Sequence, residues 1–361
     1  MLVVCAAFVG VAHAQELHRD EQAVWRARVV DIAEVTAETQ PWTGLTTYRQ
    51  TVTAVLVDGE RAGETVTFGN DFVQLEEGDR FFLVYTKTVD GVERFAVQEV
   101  DRTIPLIILG LVFVGGVLLL SGMQGVRSLV ALFISVGVVV LVLLPLLLQG
   151  YPPVLTTVVI AGGILVFAIV FTHGWNMRSL VALVGTWSAV VGTGMLSSFF
   201  IGFTQLTGFA SDESIYLNVS THGALDFTGL LLAAIIIGVL GVLDDIAITQ
   251  VAVVGELTEH DPTIPPRELY RKALRVGKEH VGALVNTLVF AYAGASLPLL
   301  LLFYQANTST IALINQEVLT TEIVRTLVGS IGLILTVPIT TALAVLVRSM
   351  LKGGESQHHH H

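Results

Sequence analysis

The chain has 361 residues, of which 53% are hydrophobic and only 14% charged, with a formal net charge of −11 and a mean hydropathy of +0.74. A soluble domain carries roughly 25% charged residues, so an ordinary water-soluble fold is excluded. The acidic balance argues against a nucleic-acid partner, and a lone cysteine, Cys5, excludes a disulfide framework or a cysteine metal site.

At the N-terminus, residues 2–11 are an apolar run, and Ala12-His13-Ala14 resembles a small-residue cleavage site. Residues 1–14 therefore read equally as a signal peptide or as the tail of an N-terminal spanning helix. Either delivers the following segment to the outside. At the other end, residues 353–361 read as a linker and a histidine purification tag.

Residues 15–101 have the pattern of a small extracytoplasmic all-β domain. Alternating stretches run over Trp25–Val30, Tyr48–Val57, Glu64–Phe68, Arg80–Thr86 and Glu93–Val100. Turn residues separate them at Asp58-Gly59, Gly69-Asn70, Glu77-Gly78-Asp79 and Asp90-Gly91. Five short strands suggest an OB-like barrel. No basic aromatic face accompanies them, so a structural or assembly module is the plain reading.

Residues 102–352 are predicted to be an α-helical membrane domain. Seven apolar segments, 103–121, 128–149, 153–171, 179–203, 227–243, 281–304 and 326–347, approach the length of about 20 residues that a spanning helix needs. With the β-domain outside, the predicted cytoplasmic loops carry Arg127, Arg178, Arg267, Arg271, Lys272, Arg275, Lys278, Arg348 and Lys352. The predicted outer loops, 149–153, 204–226 and 305–320, carry no Lys or Arg. This obeys the positive-inside rule at every loop and places the C-terminus in the cytoplasm.

The long cytoplasmic loop 255–280 contains Pro265-Pro266 followed by RELYRKALRVGKEH, a helix start. Leu269, Ala273 and Val276 share one face. The 263–280 stretch therefore reads as a short amphipathic helix on the inner leaflet, its cations toward anionic lipids. Glycines within the spans favour close helix packing, and the same residues are compatible with a homo-oligomer.

Ionisable residues inside a membrane default to functional hypotheses. Asp244 and Asp245 stand adjacent in an otherwise apolar helix. Asp245, Thr249 and Glu256 fall near one face, with Asp244 turned about 100° away. Counting from Asp226, the pair lies about 27 Å along the helix. That depth also fits two hydrated carboxylates at the inner end. Gln250 lies one turn beyond, while Asn286, Thr287 and Thr336 are placed at similar depth on the last two spans. Pro338 frees a nearby carbonyl. Oxygen groups of this kind suit a hard cation, with Asp244 and Asp245 as metal ligands, or a proton relay. Packing hydroxyls are the bland alternative.

Elsewhere, Glu322 and Arg325 are spaced to pair at the outer start of the last helix. Asp212, Glu213, His222 and Asp226 make the outer loop acidic, and His173 reads as a solvated turn residue. The metalloprotease, nucleophile-elbow and P-loop motifs are absent, so no enzyme activity and no cofactor are expected.

Three stretches, GVLGVLDDIAITQVAVVGEL, VGALVNTLVFAYAGASLPLLLLF and INQEVLTTEIVRTLVGSIGLILTVPITT, resemble the YibE/F family of prokaryotic membrane proteins. The resemblance extends over 24–347 and falls on Gly241, Asp244, Gln250, Glu256, Asn286, Thr287, Glu317, Glu322, Arg325 and Pro338. The family pattern has one acidic residue at the Asp pair, which favours Asp244. The resemblance implies a multi-pass protein of the prokaryotic plasma membrane and offers transport as an expectation. Two readings stand: a cation channel or ion-coupled transporter moving a cation or proton past the Asp site, and a non-transporting envelope scaffold or assembly protein.

Overall fold

The computed structural model describes residues 21–39, 46–88, 90–306 and 308–353. The signal-or-anchor reading of residues 1–14 and the tag lie outside them. The chain divides into two compact units that meet between Leu120 and Ser121.

In the first unit, β1 (Glu21–Thr39), β2 (Thr46–Leu56), β3 (Thr65–Asn70), β4 (Arg80–Lys87) and β5 (Glu93–Val100) form one sheet in the order β3-β2-β1-β4-β5. All pairings are antiparallel. Alternation does the work: Val66, Phe68, Phe81, Leu83 and Tyr85 point inward around Trp25, Ala27, Val52 and Leu56. Trp25 stacks on Tyr85 with ring centroids 4.9 Å apart. β1 is far longer than its predicted stretch. Bulges between Val29 and Asp31 and between Ala33 and Val35 let it keep pairing with β2 after the alternation slips.

The first apolar helix, α1 (Thr103–Val138), begins in this unit and continues into the second. Its backbone breaks at Gly122, where φ is +52°, a left-handed value that favours glycine. The two predicted segments 103–121 and 128–149 thus belong to one run. A single π-helical turn (Val139–Leu143) and α2 (Leu144–Leu148) complete it.

The second unit adds α3 (Pro153–His173), α4 (Met177–Phe203), α5 (Asp212–Ser220), α6 (Phe227–His260), α7 (Pro266–Ala295), α8 (Leu297–Gln305), α9 (Thr310–Ile314) and α10 (Glu317–Leu346). Among the described residues, five helical runs are long and apolar enough to cross a membrane, and a sixth arises if α7 and α8, bent by 65°, form one broken span.

Successive long helices run in opposite directions, as their close approaches show. A Cβ at Gly332 of α10 would lie 2.1 Å from Thr193 Oγ1 of α4, and one at Gly185 of α4 2.5 Å from Thr340 Oγ1 of α10. A Cβ at Gly277 of α7 would meet Val337 of α10 and Gln250 of α6 within 2.6 Å. Only glycine allows these backbones so near. The ends of α3, α6 and α10 and the starts of α4 and α7 therefore share one end of the bundle. Arg178, Arg267, Arg271, Lys272, Arg275, Lys278 and Arg348 all belong to it, so it is the basic end.

Two apolar cores fill the bundle. The larger contains Leu165, Val190, Ile235, Ile236, Leu243 and Leu333. The other, toward the basic end, contains Ala182, Val251, Val254, Leu269, Ala273 and Ala344. Here the structure corrects the sequence reading. Residues 266–280 are not a separate surface helix, because α7 is continuous to Ala295. Leu269 and Ala273 are fully buried against protein, so that part of the apolar face is already covered, while Val276 stays exposed. The cations Arg271, Lys272, Arg275 and Lys278 stay exposed or nearly so.

Candidate functional site

Helix α6 carries the two adjacent aspartates within its apolar sequence. Asp245 is exposed and interacts electrostatically with His280 of α7 and His173, the last residue of α3. Asp244 is more enclosed. Its Oδ1 is buried and has no hydrogen-bond partner, and Asp245 is the charge next to it. A buried carboxylate oxygen without a partner costs about 1–3 kcal/mol or more, so Asp244 is a position where structure alone offers no stabilising reason for the side chain. From Val281 to Gln305, the rest of α7 and all of α8 contain no Asp, Glu, Lys, Arg or His. Because His280 ends the charged part of α7, Asp245, with which it interacts, and the adjacent Asp244 sit at the edge of the apolar zone, on the basic-end side.

The other predicted site residues are placed differently. Thr249 donates to the Asp245 carbonyl at 2.7 Å, spending its proton on its own helix. Gln250 is buried and lies 2.8 Å from the Thr341 hydroxyl of α10. Thr341 Oγ1 is also 2.6 Å from the Val337 carbonyl, and one hydroxyl proton serves one acceptor. Turning the Gln250 amide end for end lets its N–H donate to Thr341 while Thr341 donates to Val337. Glu256 is exposed, as are Asn286 and Thr287, and Thr287 donates to the Ala283 carbonyl at 3.0 Å. Thr336 is buried and donates to the Gly332 carbonyl at 2.8 Å. The expected convergence of Asn286, Thr287 and Thr336 on the aspartates does not appear among these contacts. The Thr287 and Thr336 hydroxyls are taken up by their own helices. Among the described residues no group of three or more His, Cys, Asp or Glu side chains is arranged to hold a metal ion. Asp244 and Asp245 as metal ligands thus gain no third such residue.

The two imidazoles are the members of the cluster that the sequence did not reveal. His173 reads there as a solvated turn residue and His280 as the end of a basic loop. Both partners are distant in sequence. The one available signal is that each His borders an apolar run, the position from which a side chain reaches the edge of the bundle.

Basic-end packing is fixed by an ion pair between Arg178 at the start of α4 and Glu259 at the end of α6. A Cβ at Gly255 would come 3.5 Å from the Arg178 guanidinium carbon.

At the opposite end the structure forms a cavity of about 470 Å³ between the 208–217 segment and the starts of α6 and α10. Glu322 and Arg325 line it and pair at 2.9 Å, each side chain about one quarter exposed. Arg325 lies about 12 Å into α10 at 1.5 Å per residue, deeper than the predicted anchor position. Arg325 Nε and Thr321 Oγ1 are buried without partners. Glu213 contributes a second carboxylate to the lining. Hydrogen bonds from its own backbone N–H and from Ser211 hold that carboxyl below the usual range.

Long apolar helices, glycine-tight crossings and ionisable groups along the bundle define a polytopic membrane protein. The model of the YibE/F-like protein family matches residues 109–350, and the chain belongs to that family. The matched region is the helical part; strands β1–β5 precede it. No curated protein and no solved structure matches the chain.

Proposed function

We propose that the protein is a membrane transport protein, a cation channel or ion-coupled transporter of the prokaryotic plasma membrane, with Asp244 as its charge-handling group. The observation that carries the reading is the buried, unpartnered Oδ1 of Asp244, beside Asp245, which itself lies within electrostatic reach of His173 and His280. A carboxylate beside imidazoles at the edge of an apolar zone can take up and release a proton or balance a passing cation. Asp245 sits at the exposed mouth of the cluster, and Asp244 is the inner group.

Topology follows from the basic end being cytoplasmic. Breaking the first helical run at Gly122, and counting α7 with α8 as one broken span, brings the crossings to seven. An odd number of crossings from a cytoplasmic C-terminus supports a β-domain on the outside. The sheet supports an OB-like, partly open barrel: a long, twice-bulged β1 pairs on both sides, and the edge strands β3 and β5 approach one another. The exposed cations of α7 remain suited to anionic headgroups.

The scaffold reading draws on the buried hydroxyls. Thr186, Thr193, Thr336 and Thr341 all bond within their own helices, as packing groups do. Ion flux into proteoliposomes separates the two. A panel of proton, sodium, potassium, magnesium and calcium gradients should show uptake that the Asp244→Asn/Asp245→Asn double variant lacks. No flux with any cation would favour the scaffold.

A further inference from the structure

The cavity at the end of the bundle remote from Asp244 has a lining that selects among ligand classes. Its charged groups are the Glu322–Arg325 pair and Glu213. A simple cation would meet the guanidinium of Arg325 beside the carboxylate of Glu322. A simple anion would meet Glu322 and Glu213. An uncharged solute would match neither charge of the pair. The remaining wall is apolar, with Leu217, Phe227, Leu231 and Val318. At about 470 Å³ the volume lies in the range of about 300–1,000 Å³ typical of small-molecule sites.

We infer that this cavity binds a small zwitterion, an α-amino acid with an apolar side chain, by splitting the Glu322–Arg325 pair between the ligand's two charges. The carboxylate docks on the Arg325 guanidinium, whose planar fork matches it. The ammonium docks on Glu322, with Glu213 adding negative charge. The side chain lies against Leu217, Phe227, Leu231 and Val318. Glu317, on the turn of α10 before Glu322, hydrogen-bonds Thr207 and Gly208 and so fixes the cavity rim. The amino acid would be the transported solute, a step that rests on the transport reading; its binding does not.

The test is calorimetric titration of the purified full chain with L-leucine, leucinamide, which lacks the carboxylate, and 4-methylpentanoate, which lacks the ammonium. Saturable binding of leucine, with each analogue at least 10-fold weaker, is expected. Arg325→Lys and Glu322→Gln should each weaken leucine at least 10-fold. If a variant does not fold, the analogue comparison in wild type still decides. No saturable leucine binding, or leucinamide binding as tightly as leucine, overturns the inference. Leucine uptake into proteoliposomes is measured in parallel. Binding without uptake would leave the cavity standing and count against transport alone. Uptake that persists unchanged in Arg325→Lys would overturn the site.

Discussion

The carboxylate of Glu317 grips Thr207 at three points. Its Oε1 accepts from the Thr207 backbone N–H and hydroxyl, each at 2.8 Å, and its Oε2 lies 2.9 Å from the same hydroxyl. It also accepts from the Gly208 N–H at 2.8 Å. Gly208 has φ +87°, and a Cβ there would lie 2.3 Å from the Phe227 carbonyl oxygen, so the chain turns here only as glycine. One acidic side chain at the start of α10 thus ties down the long segment between α4 and α6.

Removing that clamp should loosen the segment without unfolding the bundle. Glu317→Ala is expected to lower stability by about 1–3 kcal/mol and to speed amide exchange at Thr207 and Gly208 by 10-fold or more. Unchanged protection at those two amides would show that the segment is held by its apolar contacts alone.

Gln250 supplies a side-chain hydrogen bond between α6 and α10, and its amide packs over Gly277 of α7. Gln250→Ala removes the bond and leaves a void, so a loss of about 1–3 kcal/mol is expected. A thermal midpoint in detergent equal to wild type would contradict this.

The Gly332–Thr193 approach leaves no room for a methyl group. Gly332→Ala should destabilise by about 1–3 kcal/mol through overpacking. Adding Thr193→Ala should recover part of the loss, because the clash is with its Oγ1. Failure of the double variant to recover would place the strain elsewhere in α10.

The cluster around Arg61 should contribute to weakening of the β-domain in acid. Arg61 pairs with Glu64 at 2.5 Å and Glu93 at 3.0 Å, and Tyr85 donates to Glu93 at 2.9 Å. Hydrogen bonds from Arg61 hold both carboxyls below the usual Glu range, with Tyr85 adding to the effect at Glu93. Such groups contribute stability above the unfolded Glu value of about 4.3 and lose it as the pH falls through their lower folded values. Unfolding of the sheet should therefore become easier below about pH 4.3, by a small amount because the pairs are exposed. Arg61→Ala should flatten that dependence, and an unchanged slope would remove the cluster from the account.

Much of this architecture was legible in the sequence, and the misses have physical causes. Inward-facing Val66, Phe68, Leu83 and Tyr85 announce their strands by alternation. β1 outruns its signal because two bulges shift the alternation while pairing continues. The division of α7 at His280 follows hydropathy, which averages over all faces of a helix. The apolar stripe Leu269, Ala273, Gly277, Val281 and Leu288, all buried, is unbroken and marks one continuous helix. Asp244 stands out as a charge among apolar residues. Its partners do not, since the nearness of His173 and His280 to Asp245 depends on how α3 and α7 pack around α6. The Glu322–Arg325 pair follows from its spacing of three, whereas the cavity beside it depends on the fold of residues 208–217.

The measurement that bears most directly on the central claim is cation flux by Asp244→Asn compared with Asp245→Asn and wild type in proteoliposomes, each first shown to elute as a folded species. Wild type should move at least one cation of the panel, and Asp244→Asn, which removes the inner charge, should lose at least 10-fold of that rate. Asp245→Asn should retain more of it, being at the exposed mouth. Flux in Asp244→Asn equal to wild type, with the variant folded, would contradict the assignment of Asp244 as the charge-handling group.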